Sequence, residues 1–399
     1  MNSNYKQGLL DSLCRLAQRP GKVYHETHEW THPKLFFKAP IGYCKIMSNP
    51  AITSLIQSGT KLYLDSIDPA LVEQNIEWGA VGATSNPIII SNLIRTGRFD
   101  ALVSKLLEGG MDDEAICWEM TDTLVSQAQA KFESIWSQSE GNAGWVSFEL
   151  DPLIEDPARN MPHEERVARY IELGRKWSAG QRNRMIKVPA TPAGLDALET
   201  LVAEGVTLNV TLIFTLRQYL LARDSVWRGA QRRASLDHFK SVYSIFVSRI
   251  DQYTAEHCPG LSREAQGSYG ILNAKRIRQE NVRFWREHPT PLQQEIIFAS
   301  TGTKSAADPP WKYVAALAGS DIQTNPPETN SAIAASDQRF TRQVDVMPSD
   351  AVCRELDQAV RVDHMESTLM EQGVAKFAAP QKQLIATVAE KRASLLSRA

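Results

Sequence analysis

Met185-Ile186-Lys187-Val188-Pro189 is an apolar run with one cation at its centre, and Ala190-Thr191-Pro192-Ala193-Gly194 succeeds it directly. The first segment reads as a buried β-strand, and the second reads as a turn that starts a helix. A lysine inside such a strand is costly, because its ammonium gives up water with no anionic neighbour in sequence. Desolvation favours the uncharged amine, and an uncharged ε-amine can attack a carbonyl to form a Schiff base. The plain alternative is a lysine on an edge strand whose head reaches solvent. The rest of the chain decides between the two.

Outward from this unit, short β-type runs alternate with longer helical patterns, as in βα repeats around a parallel sheet. Strands are expected at 61–67, 79–86, 145–151, 184–190, 207–214, 242–249, 296–302 and 322–326. A closed (β/α)8 TIM barrel requires eight, so the fold class is α/β, a TIM barrel with extra helices and an N-terminal extension. The segment 88–137 is too long for one crossover and reads as two or more helices, one of them over 112–136 with the acidic start Asp112-Asp113-Glu114. Residues 1–55 fall outside the barrel pattern and are read as the extension, with an amphipathic stretch at 9–16. Residues 56–399 are read as the barrel, with a helical pattern over 381–399.

Bulk properties narrow the class. The chain has 399 residues, 43% hydrophobic and 23% charged, with a net charge of −2, which fits a globular protein with a large core. So even a balance gives no footprint for nucleic acid or for a membrane surface. No apolar stretch reaches the roughly 18 residues that span a bilayer. The start, Met1-Asn2-Ser3-Asn4-Tyr5-Lys6, lacks the pattern of a signal peptide. Cys14, Cys44, Cys117, Cys258 and Cys353 form no CxxC pair and are odd in number. They are expected to be free thiols in a reducing cytoplasm.

Strand side chains alternate between faces, and barrels of this type present chemistry at the C-terminal ends of several strands. By that test Asp65 ends the first strand, and Thr84 and Asn86 end the second at matching parity. Ser147 and Glu149 share a face of the third, and Lys187 ends the fourth. Asn209 with Thr211, Ser244 with Phe246, and Ser300 with Gly302 do the same on the fifth, sixth and seventh. A single buried polar pair usually just satisfies backbone groups. Polar groups offered by nearly every strand at the same end point to function. An amine, two carboxylates, amides and hydroxyls suit imine-based making and breaking of carbon–carbon bonds. Arg249 and Lys304 are available to hold a phosphate by charge-assisted hydrogen bonds.

At these residues the chain resembles the transaldolase family. The stretches carrying the resemblance are Leu64-Asp65-Ser66-Ile67, Ala83-Thr84-Ser85-Asn86-Pro87, Val146-Ser147-Phe148-Glu149-Leu150, Met185 to Thr191, Leu208-Asn209-Val210-Thr211-Leu212-Ile213-Phe214, Ser244 to Asp251 and Ala299-Ser300-Thr301-Gly302-Thr303-Lys304. They occur in family order and cover roughly 55–395, with the last in the form of the bacterial subgroup that carries ASTGTK. The resemblance implies a class I aldolase-type barrel with Lys187 as the Schiff-base lysine. It implies transfer of a dihydroxyacetone unit from sedoheptulose 7-phosphate to glyceraldehyde 3-phosphate. The products are erythrose 4-phosphate and fructose 6-phosphate, in the non-oxidative pentose phosphate pathway. No cofactor and no metal are implied, and the partners are small sugar phosphates, met by a monomer or homodimer.

Carried over residue by residue, the resemblance makes Asp65 the acid/base for cleavage. Glu149 with Thr211 holds a proton-shuttling water. Thr84, Asn86 and Asn209 position substrate, and Ser244 and Phe246 line the dihydroxyacetone site. Arg249 and Ser300 bind phosphate, joined by Lys304 where some transaldolases have an arginine. A lysine there offers a point charge rather than a fork. The family's helix across the barrel mouth is expected within 373–396.

Three other readings compete. His28-Glu29-Trp30-Thr31-His32 spells the HExxH zinc motif, but Pro33 biases His32 away from the helix that motif needs. A fructose-6-phosphate aldolase-like enzyme uses the same imine and releases free dihydroxyacetone. Aldolases of the resembled family carry tyrosine where this chain has Phe246, which has no proton to give. A non-catalytic barrel that binds sugar phosphates is the third, opposed by the full set of reactive side chains.

Overall fold

Eight short runs of nearly wholly buried residues form the strands β1 (Lys61–Leu64), β2 (Gly82–Thr84), β3 (Trp145–Glu149), β4 (Arg184–Pro189), β5 (Leu208–Ile213), β6 (Ser241–Phe246), β7 (Glu295–Ala299) and β8 (Ile322–Asn325). They are seen in a computed structural model that describes residues 49–396. Each strand pairs in parallel with the next, and β8 pairs with β1 from Lys61↔Ile322 to Leu64↔Asn325, closing an eight-stranded barrel. Closure leaves no edge strand for Lys187 to occupy, which removes the plain reading of that lysine.

The helices are α1 (Pro50–Gln57), α2 (Pro69–Glu77), α3 (Pro87–Arg95), α4 (Asp100–Glu108), α5 (Asp113–Gln138), α6 (His163–Ser178) and α7 (Pro192–Ala203). They continue as α8 (Leu216–Gln231), α9 (Ser248–His257), α10 (Tyr269–Glu287), α11 (Lys312–Ala316), α12 (Pro327–Ala334), α13 (Asp350–Ala359) and α14 (Val362–Leu396). The segment between β2 and β3 holds three of them, α3 to α5. Among the described residues no helix is long and apolar enough to cross a membrane.

Outward-facing strand residues such as Phe148, Ile186, Val188 and Val210 pack with Leu198, Leu201, Tyr219 and Val226 of the surrounding helices. Each such side chain contributes ~1.5–3 kcal/mol relative to exposure. The inner cluster contains Tyr63, Trp145, Met185, Val242, Ile297 and Ile322. Helix α1, which begins within the residues read as the extension, buries Ala51, Ile52 and Leu55 against Leu62, Val314 and Ile333. The HExxH motif, the 9–16 stretch, Cys14 and Cys44 lie outside the described residues.

Several strands end earlier than the sequence pattern predicts, because their last polar residues turn to cap helices. Asn86 leaves the ladder to accept from Ile89 N (3.2 Å), with Pro87 at the first helical position of α3. Arg249 is not on β6 as expected: Val247 is already helical (φ −91°, ψ −62°), so Arg249 stands in the first turn of α9. Thr191 caps α7 by accepting from Gly194 N (3.1 Å). At Gly194 a Cβ would fall 2.0 Å from the Pro189 carbonyl oxygen, so glycine is what lets α7 press against the end of β4.

Candidate active site

Parallel register sets the reactive row. Glu149 pairs with Lys187 and Lys187 with Asn209, so three neighbouring strands present a carboxylate, an amine and an amide at one level. Lys187 Nζ lies 3.4 Å from Glu149 Oε2, both groups buried. Burial pushes the Glu149 carboxyl up to about 7, with Lys187 pulling it down and Asp65 pushing it further up. Asp65 is raised by burial as well, opposed by Lys187 and by the Thr84 hydroxyl, which donates to its Oδ1 at 2.7 Å. Thr84 in turn meets Thr324 at 2.9 Å.

A chain of hydrogen bonds crosses the barrel just beneath. Ser244 Oγ donates to Asn209 Oδ1 (2.7 Å), and Asn209 Nδ2 donates to Ser147 Oγ (2.9 Å). Shared parity thus becomes a fixed polar layer. Thr211 Oγ1 is buried with no hydrogen-bond partner, which leaves it ready to bind water or substrate. Phe246 packs edge-on against Phe214 at 5.5 Å.

A cavity of about 480 Å³ opens above this row. It is lined by Asp65, Thr84, Asn86, Lys187, Thr211, Ser244, Phe246, Arg249, Ser300 and Lys304. Glu149, Asn209 and Ser147, also singled out in sequence, do not line it: Asn209 and Ser147 are buried below, and Glu149 faces a smaller space beside it. Ser300 has a left-handed backbone (φ 55°) that turns the chain after β7 and brings its hydroxyl 2.9 Å from Ser248. Arg249 and Lys304 are both shifted down, Arg249 by burial and Lys304 by burial with Arg249 nearby.

Helix α14 closes the mouth. It starts at Val362, well before the expected 373, and carries Pro380 inside it. Proline has no N–H, so the Lys376 carbonyl loses its usual helical donor at the point that meets the cavity. Lys376, Phe377, Ala379 and Pro380 all line the cleft. Phe377 sets its ring centroid 5.4 Å from Lys187 Nζ. Lys376 is shifted down by burial and then by Arg249 and Lys304, which makes it a third cation at that end. Among the described residues none of the three cations has a carboxylate within salt-bridge distance. Lys376 and Phe377 escaped sequence reasoning. The one available signal was the expected helix over the mouth, which does not say which of its faces points inward.

Comparison with known proteins agrees with this geometry. The profile of the family described as Transaldolase/Fructose-6-phosphate aldolase matches residues 62–388. A transaldolase of Mycobacterium tuberculosis is 30% identical over 366 residues, covering 84% of this chain and 96% of that one. One from Saccharopolyspora erythraea is 28% identical, covering 86% and 98%. One from Trichodesmium erythraeum is 27% identical, covering 84% and 95%. With the profile spanning nearly the whole barrel, the chain belongs to the transaldolase/fructose-6-phosphate aldolase family.

Proposed function

We propose that this protein is a transaldolase that moves a dihydroxyacetone unit from sedoheptulose 7-phosphate to glyceraldehyde 3-phosphate through an imine on Lys187. The observation that carries the reading is a lysine at the end of β4, 3.4 Å from a buried glutamate and under the electrostatic influence of Asp65. Lys187 Nζ attacks the ketose carbonyl, and the carbinolamine hydroxyl leaves as water. Glu149, titrating near neutrality, suits the proton exchange this step needs, through a water shared with Thr211. Asp65 then takes the proton of the C4 hydroxyl as the C3–C4 bond breaks, and the bonding electrons flow into the iminium to give an enamine. Erythrose 4-phosphate departs. The enamine adds to the incoming aldehyde by the reverse steps, and hydrolysis frees fructose 6-phosphate.

Asn86, Asn209, Thr84 and Ser244 suit the substrate hydroxyls. Arg249, Lys304 and Ser300 suit the phosphate, and Lys376 joins them by charge and position. The aldolase reading hydrolyses the enamine-derived imine before an acceptor arrives. Phe246 speaks for transfer, because its ring offers no hydroxyl to assist water. The reading places a monomer or homodimer in the cytoplasm, where sugar phosphates are turned over.

The test is reductive trapping. Borohydride added with fructose 6-phosphate should leave a dihydroxyacetone- or hexose-derived adduct on the Lys187 peptide by mass spectrometry, and none in Lys187→Ala. An adduct on another lysine, or undiminished turnover in Lys187→Ala, overturns the reading.

A further inference from the structure

Beside the main cleft lies a second cavity of about 10 Å³, lined by Ser85, Asn86, Trp118, Thr121, Glu149 and Gln381 among others. That is about the room one water requires, provided two to four polar groups hold it. Two buried polar side chains there are short of partners. Glu149 makes a single hydrogen bond, the 3.4 Å contact with Lys187. Gln381, on α14, is 2% exposed, and its carboxamide has no hydrogen-bond partner among the described residues. Among the other side-chain oxygens of the lining, Ser85 Oγ donates to the Ser147 carbonyl (2.9 Å), Thr121 Oγ1 donates to the Cys117 carbonyl (2.7 Å), and Asn86 Oδ1 accepts from Ile89 N (3.2 Å). Buried polar groups left unpaired by protein are commonly paired by ordered water.

We propose that one water bridges Glu149 and Gln381 across this cavity, making Gln381 the residue that positions Glu149 for proton exchange with Lys187. The inference rests on the transaldolase reading and concerns how its proton carrier is held. A carboxyl that gains and loses a proton each cycle needs a partner that serves both states. A carboxamide donates through its N–H2 and accepts through its oxygen, so the bridging water can turn to donate to the carboxylate or to accept from the acid. The charged groups that face Glu149 are Lys187 from β4 and Asp65 from the residue just after β1. Helices α5 and α14 present only the uncharged Trp118, Thr121 and Gln381 to the cavity.

Gln381→Met keeps the length and helix preference of the side chain and removes its donor and acceptor. It should move the acid limb of the kcat/KM profile up by about one pH unit, the size of one hydrogen bond to an ionised group. Borohydride trapping below that limb should slow about tenfold, with the plateau at high pH retained. A high-resolution crystal structure of the unaltered enzyme should show one water in contact with both side chains. An unmoved acid limb in a folded Gln381→Met overturns the proposal, and so does a dry cavity, which decides the matter if the variant fails to fold. Either result leaves the transaldolase reading standing, because that reading fails only if trapping at Lys187 fails.

Discussion

At the N-terminal end of the barrel, Glu295 receives hydrogen bonds from Lys61 at 2.7 Å and Lys240 at 2.5 Å; at the C-terminal end, Glu149 has Lys187 alone, at 3.4 Å. Apart from the partly exposed Lys61, all of these side chains are buried. Burial pushes Glu295 up, yet its two lysines hold it below the usual carboxylate range. Burial pushes Glu149 up to about 7, because one distant lysine does not offset it. Lys61 and Lys240 are further tied to the carbonyls of Asn142 and Gln293. The number and closeness of cations thus separate a structural ion cluster from the proposed proton carrier. The same residue types close one end of the barrel and leave the other able to react.

The largest expected effects exchange places between the two ends. Lys187→Ala should lower kcat by at least about 10⁴-fold, as removal of a covalent nucleophile does elsewhere. Its urea midpoint should hardly move, since Glu149 can take up a proton once its lysine is gone. Lys240→Ala should cost about 3 kcal/mol of stability, the low end for breaking a buried pair, because Lys61 remains. The folded fraction should keep its kcat. A Lys187→Ala that unfolds, with a Lys240→Ala that folds but is inactive, would erase the distinction.

The glutamates should respond to pH with opposite signs. Glu149 has a folded value near 7 against 4.5 ordinarily, so its contribution to stability is full below about 4.5 and is lost as pH rises through about 7. Glu149→Gln removes that loss. The variant should gain on the parent between pH 5 and 8, by on the order of 2 kcal/mol. Glu295 is held low, so its contribution is present above the ordinary carboxylate range and is lost as pH falls. Glu295→Gln should therefore lose most at neutral pH. Urea denaturation at pH 5 and 8 checks both, and equal pH dependence in the two variants would contradict the contrast.

The C-terminal end of the barrel was far easier to read from sequence than the N-terminal one. Period-two parity puts Ser147 with Glu149 and Asn209 with Thr211 on one face before any coordinates, and the Asn209–Ser147 hydrogen bond realises it. Lys240 and Glu295 sit one or two residues outside the expected strands 242–249 and 296–302. There the period-two pattern says nothing of them, although they belong to the barrel's buried base. Arg249 lines the cavity from a helix rather than from the strand expected to carry it, since apolar patterning does not mark where Val247 turns helical. Lys376, Phe377 and Gln381 lie nearly two hundred residues from Lys187 and come to the two cavities only through tertiary packing. Helix α14 is buried at Met365, Leu369, Ala378, Leu384 and Val388, so its pattern does not single out the face that meets the mouth.

Intermediate effects should come from the cations at the mouth. Arg249→Ala should raise KM for phosphorylated sugars by roughly 50-fold, as loss of a charge-assisted fork does, and Lys376→Met by roughly tenfold. Unphosphorylated glyceraldehyde as acceptor should be little affected by either. If both acceptors suffered equally in Lys376→Met, the residue would be packing the helix rather than holding phosphate, and this end would resemble the base more than proposed.

The smallest effect is expected at Phe246, where the contrast between transfer and hydrolysis is finest. Its ring lines the cavity and meets Phe214 edge-on at 5.5 Å. Phe246→Tyr adds one donor and one acceptor within the proposed dihydroxyacetone site and changes no charge. That group can orient a water toward the imine carbon, which the phenyl ring cannot. Dihydroxyacetone release from fructose 6-phosphate without acceptor should rise several-fold, while transfer to glyceraldehyde 3-phosphate falls by about the worth of one misplaced hydrogen bond, roughly five- to tenfold. Both rates come from one coupled assay run with and without acceptor. If release stays at its basal level in a folded variant, water is kept from the imine by something other than the missing hydroxyl. Phe377, set near Lys187 from α14, is the side chain placed to do it.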